Sequence, residues 1–148
     1  MAPVLLGTRP SGPRRRGLVG PHGGSPLGAV GLRRPGAVAL LRFPDTSLAP
    51  GKWRPVLLVA PTPPPHGDWL VLMISSQVQR AVPGFDEPLL PSEPDFPATG
   101  LRRPSVVRLS RLAVVEAALL KGALGEIAPE RFRRITDRLA RWIRTGGV

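Results

Sequence analysis

Short apolar runs separated by proline, glycine or aspartate constrain this chain more than any other feature of its 148-residue sequence. The runs begin at Gly36, are four to eight residues long and are rich in valine and leucine. They lie at 36–43, 54–60, 69–74, 105–109 and 112–115, with a further candidate at 123–127. Strands of this length and spacing are typical of a compact β-barrel or β-sandwich. We therefore expect a mainly β fold.

The end of the chain predicts one amphipathic helix over residues 129–144. Pro129 suits the first turn of a helix, and Gly146 and Gly147 follow its last turn. The apolar side chains that fall within an arc of roughly 100° are Phe132, Ile135, Leu139, Trp142 and Ile143. The other side carries Arg131, Arg133, Arg134, Arg138, Arg141 and Arg144. We interpret this basic side as a solvated face rather than a nucleic-acid contact.

Composition divides the chain into an extension over 1–35 and a folded domain over 36–148. The extension holds six Pro, eight Gly and six Arg with no acidic residue and no periodicity, so we expect it to be disordered. Within the domain, a proline-rich segment over 83–97 is too long for a simple hairpin turn. We expect that segment to be a loop that is either mobile or functional.

The net charge of +11 comes mostly from arginine, which makes up 19 of the 21 basic residues. The planar guanidinium fork suits phosphate, so the charge favours a polyanionic partner. The chain has no cysteine and only His22 and His66, which excludes disulfides, thiolate metal sites and most zinc arrangements. No apolar run approaches the length of a membrane span or a signal-peptide core. We expect a soluble, intracellular protein that needs no metal and no cofactor and does not enter a membrane.

Five motifs follow one another in an order that is more specific than any of them alone. They read GAVALLRFPDTS (36–47), GKWRPVLLVA (51–60), ISSQ (74–77), GLRRPSVVRLS (100–110) and GEIAPE (125–130). In this order the chain resembles the PemK/MazF family of bacterial toxins, from about Gly36 to Ile143. The resemblance implies a small half-open antiparallel barrel of the Src-homology-3 kind with a C-terminal helix.

The resemblance also implies a function. Members of the family are toxins of toxin–antitoxin systems, usually homodimers, and most are endoribonucleases that cut single-stranded messenger RNA without a metal ion. On this basis we expect single-stranded RNA as substrate, a cognate antitoxin as protein partner, and operator DNA contacted only through the antitoxin complex. The expected location is the bacterial cytoplasm.

Three residues match the positions at which the family carries its active site. The resemblance implies that Arg54 clamps the scissile phosphate, that Ser75 orients a phosphate oxygen, and that Arg108 donates a proton or stabilises charge. Pro55 stiffens the backbone behind Arg54. The residues expected to line the substrate groove are Lys52, Ser76, Gln77 and Ser110.

The sequence departs from the family pattern at the general base. Ser110 stands two residues after Arg108, where members often carry a carboxylate that acts as base. Ala37 replaces an acidic residue that frequently follows the first motif glycine. Asp45 is the remaining candidate for the catalytic base, and His66 is a more distant one.

Two other functions and several structural roles stay open from the residues themselves. The chain could be a catalytically weak or inactive module that binds RNA or an antitoxin, or a protein-directed poison like the gyrase-inhibiting CcdB toxins. Arg54 could be a solvated charge at a strand end, and Ser75 could end its strand in a turn. We expect Trp53 and Trp69 to pack in the barrel rather than to stack on bases. Cleavage products would separate the nuclease from the other classes.

Overall fold

The computed structural model describes residues 33–42 and 52–147, and within these ranges the chain forms one antiparallel sheet and one α-helix. Most of the predicted extension and Asp45 lie outside the described residues. The strands are β1 Ala37–Arg42, β2 Trp53–Pro61, β3 Trp69–Ser75, β4 Glu87–Leu89, β5 Ser105–Val115 and β6 Leu120–Glu126, and helix α1 spans Pro129–Thr145. Short 3₁₀ turns lie at Val78–Arg80, Pro97–Thr99 and Ala117–Leu119.

The six strands are ordered β4-β5-β3-β2-β1-β6, and every neighbouring pair is antiparallel. In the described part of the chain the two edge strands, β4 and β6, do not pair with each other, so the sheet is open. The prediction of a mainly β, half-open barrel with a C-terminal helix is confirmed. No helix in the described ranges is both long enough and apolar enough to cross a membrane.

The two runs predicted at 105–109 and 112–115 form a single strand, β5, and the prediction of two strands was wrong. Leu72 of β3 pairs with Leu112, whereas its neighbour Met73 pairs with Arg108. The ladder therefore skips the residues between them, which is the signature of a bulge. Polar Ser110 and Arg111 lie in this bulge. In the sequence they look like a turn between two apolar runs, although the strand continues through them.

The segment over 83–97 is built into the core, and the prediction of a loop there was wrong at β4. This three-residue strand pairs with the start of β5, with Glu87 opposite Val107. Phe85, Leu89 and Phe96 are all buried in the main hydrophobic cluster. The segment thus covers one face of the sheet together with α1.

Two hydrophobic clusters lie on opposite faces of the sheet, because successive side chains of a strand alternate in direction. The first, between the sheet, α1 and the 83–97 segment, is built around Val38, Leu57, Leu72, Ile74, Val107, Leu109, Ile135 and Leu139. The second contains Ala37, Ala39, Leu41, Val56, Leu58, Trp69, Val71 and Leu120. We call the face of the sheet that carries the second cluster the site face.

Helix α1 confirms the predicted span, and Gly146 ends it in the left-handed conformation with its N–H donating to the Trp142 carbonyl at 2.8 Å. The predicted faces need two corrections. Ile143 is 64% exposed, and Arg131 is buried. Arg131 lies four residues before buried Ile135 and therefore on the core side of the helix.

Ion pairs explain why Arg131 can be buried. Its Nε and Nη2 donate to the two oxygens of Asp95 at 2.8 and 2.9 Å, and its Nη1 donates to Glu87 Oε1 at 2.9 Å. Glu93 also contacts Nη2. The bond from Arg131 lowers the pKa of the Asp95 carboxyl and raises that of the guanidinium. We call Arg131 with Glu87, Glu93 and Asp95 the Arg131 cluster, which fastens α1 to the 83–97 segment.

Candidate functional site

Arg54, Ser75 and Arg108 lie on one face of three adjacent strands. Arg54 pairs with Leu41 of the site-face cluster, and Arg108 pairs with Met73. Because Val56 pairs with Met73, the β2–β3 register extended by two residues sets Arg54 opposite Ser75. The side chains of all three residues therefore belong to the site face.

The spacing within this face allows the three residues to act together. Opposed Cα atoms of an antiparallel pair lie about 4.5–5.5 Å apart, so Arg54 and Ser75 are immediate neighbours. Arg108 lies on β5, one strand beyond Ser75 and two residues along the sheet from it. Its Cα is therefore about 12 Å from that of Arg54. Two long guanidinium side chains at this separation can meet one phosphodiester group between them.

Ser75 ends β3 and also shapes the turn that follows it. Its Oγ accepts a hydrogen bond from the Gln77 N–H at 3.1 Å, and the Ser76 carbonyl accepts one from the Val78 N–H at 3.0 Å. The predicted turn role of Ser75 is thus present, and its hydroxyl hydrogen remains available as a donor. Ser76 and Gln77 are exposed at the same end of the sheet.

Cationic side chains lie around the start of β2. Lys52 is exposed directly before the strand, and Arg54 is exposed on the site face. Trp53 points to the opposite face and is 40% exposed, so the prediction that it packs inside the barrel was wrong. Its ring lies 5.2 Å from Arg42 Cζ and 4.9 Å from Lys121 Nζ, which are cation–π distances. Trp69, in contrast, is buried as predicted.

Of the two residues considered as general base, His66 lies in the described chain, and it is far from the arginines. Asp45 lies outside the described residues, three positions after Arg42. His66 is exposed in the turn beyond the far end of β2. The strand from Arg54 to Pro61, about 23 Å long, lies between His66 and Arg54. Ser110 is exposed on the β5 bulge, two residues after Arg108.

Asp86 is a carboxylate next to Arg108 that sequence reasoning missed. Its Oδ2 lies 3.1 Å from Arg108 Nε, and its side chain is 0% exposed against 16% for Arg108. The sequence placed Asp86 in a proline-rich loop, so no strand register connected it with Arg108. The connection becomes visible only through the β4–β5 pairing, which extended by one residue sets Asp86 opposite Arg108.

The chemistry of this face is that of an anion site. Two guanidinium groups, a hydroxyl and a nearby ammonium suit the oxygens of a phosphodiester, which arginine can bind through two parallel hydrogen bonds. Within residues 33–42 and 52–147, no group of three or more His, Cys, Asp or Glu side chains is placed to hold a metal ion.

Comparisons with known proteins give one family and several similar folds. The family described as PemK-like, MazF-like toxin of type II toxin–antitoxin system matches residues 34–143. No curated protein matches the chain.

Three solved structures share the fold at low sequence identity. The Mycobacterium tuberculosis toxin MazF-mt6 has a TM-score of 0.55 and 16% identity, covering 73% of this chain and 96% of that chain. An endoribonuclease from a mycobacterial species, in complex with its cognate antitoxin, has a TM-score of 0.53 and 18% identity, covering 74% and 93%. A MazE–MazF structure from Deinococcus radiodurans has a TM-score of 0.59 and 15% identity, covering 77% and 97%.

Proposed function

Because this chain belongs to the PemK-like, MazF-like toxin family of type II toxin–antitoxin systems, we propose that it is a toxin that cleaves single-stranded RNA without a metal ion. The observation that carries the proposal is the placement of Arg54, Ser75 and Arg108 on one face of β2, β3 and β5. A phosphodiester on this face would meet two fixed cations and a hydroxyl, which is what a negatively charged transition state requires.

In the proposed reaction the 2′-oxygen of the RNA attacks the adjacent phosphorus and the bond from phosphorus to the 5′-oxygen breaks. The 2′-hydroxyl gives up its proton to a base, and the departing 5′-oxygen gains one, so the products are a 2′,3′-cyclic phosphate and a 5′-hydroxyl. Arg54 holds the nonbridging oxygens, Ser75 donates to one of them, and Arg108 stabilises charge on the leaving side. Asp45 is the proposed base.

The substrate groove is proposed to continue from this centre to Lys52, Ser76, Gln77 and Ser110, which are all exposed. Single-stranded RNA fits such a surface because its bases can be splayed apart, whereas the bases and sugars of a duplex are held in place. We also propose a cognate antitoxin as protein partner, since one compared structure is described as an endoribonuclease in complex with its cognate antitoxin and another as MazE–MazF. Operator DNA would then be bound through that complex.

We expect the protein to cut a broad single-stranded RNA library in buffer containing EDTA, and to leave the same sequences intact as duplexes. The products should carry a 2′,3′-cyclic phosphate and a 5′-hydroxyl, which end-labelling and mass spectrometry distinguish from the products of metal-dependent cleavage. Ser110→Asp supplies a carboxylate two residues after Arg108 and should raise the rate. An intact library with both the wild type and Ser110→Asp would overturn the nuclease proposal.

One observation favours a second candidate function, an RNA-binding module that does not cut. Asp86 is the acid that the described residues place beside Arg108, and its side chain is inaccessible to substrate. A face with cations and no accessible base binds a phosphodiester but does not activate the 2′-hydroxyl. Retained RNA binding without cleavage products would establish this function.

We also propose a homodimer, formed through the part of β5 that β4 leaves uncovered. β4 pairs only with 105–107, and further along β5 the side chains of Leu112 and Val114 are exposed, the latter by 59%. Light scattering at micromolar concentration should give twice the mass of one chain, and Val114→Asp should halve it. Ile143→Asp, at an exposed apolar site on α1, should not. A wild-type mass of one chain would contradict the dimer.

A further inference from the structure

Asp86 is the most completely buried carboxylate beside the proposed site, and both of its oxygens are occupied. Oδ1 accepts a hydrogen bond from the Leu109 N–H at 3.0 Å, and Oδ2 accepts one from the Val82 N–H at 2.8 Å. Oδ2 also lies 3.1 Å from Arg108 Nε. Two backbone donors therefore fix the orientation of the carboxylate independently of Arg108.

Arg108 is held at Nε, partway along its side chain. The Nε atom is buried, and its N–H is not aligned with a hydrogen-bond acceptor among the described residues, so the contact with Asp86 is an ion pair rather than a linear hydrogen bond. The Arg108 side chain as a whole is 16% exposed. An arginine anchored at Nε keeps its two terminal nitrogens for another partner, and these form the pair of parallel donors that matches a phosphate.

Burying this ion pair costs free energy, so its presence beside the site points to a function other than stability. A carboxylate removed from water loses hydration that its partners must replace, and an apolar pair of similar volume is often at least as stable. Asp86, directly before β4, faces Arg108 of β5 at the row of the sheet next to Ser75. The arrangement fixes one of the two cations of the site face.

We propose that Asp86 is the positioning residue of Arg108: it holds the guanidinium on the site face so that the terminal nitrogens receive a phosphate oxygen of the bound RNA. The inference rests on the proposed function, since it assigns a role within the same site. Asp86 does not touch substrate and acts through Arg108 alone.

The test in activity is a double-mutant cycle with Asp86→Asn, Arg108→Ala and the double variant. Displacement of a catalytic group by about 1 Å can cost about 10²-fold, so Asp86→Asn should lower kcat by about that factor with little change in KM. In the Arg108→Ala background, Asp86→Asn should cause no further loss, because the group that it positions is absent. Losses that multiply across the cycle would overturn the proposal.

Glu87→Gln is the matched control for Asp86→Asn. Glu87 is the neighbouring buried carboxylate, but its partners are arginines of α1 rather than Arg108. Glu87→Gln should lower the thermal midpoint and leave kcat unchanged at a temperature where the protein is folded. An equal loss of kcat in both variants would mean that Asp86 acts through stability, which would contradict a positioning role.

A measurement on the wild type keeps the test decisive if Asp86→Asn does not fold or if no RNA is cut. The Nε–H of Arg108, assigned by its loss in Arg108→Lys, should exchange with solvent much more slowly than that of exposed Arg111 on the same strand. Equal exchange rates would overturn the proposal. Slow exchange without RNA cleavage would refute the proposed nuclease while supporting the Asp86–Arg108 contact.

Discussion

Arg131→Ala is expected to lower the free energy of unfolding by about 3 kcal/mol, because removing one partner of a buried ion cluster leaves the others uncompensated. Glu93 and Asp95 lose the guanidinium that they contact in the described structure. Glu87 keeps Arg134 at 2.5 Å and Arg138 at 3.2 Å, which places the loss at the lower end of the range for such clusters. Urea denaturation measures the change as a lower midpoint at a constant slope.

Arg133→Ala is the control for this variant. Arg133 lies on the same helix and is exposed, so the two substitutions change helix propensity and net charge equally. We expect Arg133→Ala to alter stability by less than about 0.5 kcal/mol. Equal destabilisation by both variants would show that the Arg131 cluster contributes nothing beyond an ordinary surface charge.

The stability difference between the wild type and Arg131→Ala also depends on pH in a predictable way. The pKa of Asp95 is lowered in the folded state by its bond to Arg131, whereas in the unfolded chain the Asp95 pKa is about 3.9. The stabilisation by ionised Asp95 is therefore present above that value and is lost as the pH falls through the lower folded pKa. The stability difference between wild type and Arg131→Ala should shrink below about pH 4.

The strands and the helix were predictable because their signals are local. Each of β1, β2 and β3 is a run of apolar residues between turn-forming residues, and α1 repeats its apolar positions at the helical period. β4 has only three residues, with Pro88 at its centre. It exists because Phe85 and Leu89 are buried against distant strands and because β5 offers an edge, and neither cause is visible in the segment itself.

Charged residues whose partners are distant in sequence were the ones that the sequence could not place. Arg131 looked like a member of the solvated face, since the acids that bury it lie 36 to 44 residues earlier. Asp86 meets Leu109 across 23 residues of sequence. In the candidate site, the motifs identified Arg54, Ser75 and Arg108, but only the strand register puts them on one face.

Arg54→Ala is expected to reduce the rate of RNA cleavage by about 10²–10³, the usual loss when one preorganised charge contact to a transition state is removed. Arg54 is exposed at the start of β2, next to Ser75 on the site face. Because its side chain is solvated in the free protein, the thermal midpoint should stay within a few degrees of the wild-type value. Single-turnover cleavage of one defined RNA measures the loss directly.

Two further variants separate a phosphate clamp from a general cationic effect. Arg54→Lys keeps the charge but loses the planar fork, so its rate should lie between those of the wild type and Arg54→Ala. Arg111→Ala removes an exposed charge from the β5 bulge and should reduce the rate by no more than a few-fold. A clamp makes short contacts that salt screens poorly, so the Arg54→Ala defect should persist at high ionic strength. If the Arg54 and Arg111 defects are equal and both disappear in salt, Arg54 acts only through the overall positive field, and the proposed catalytic role is wrong.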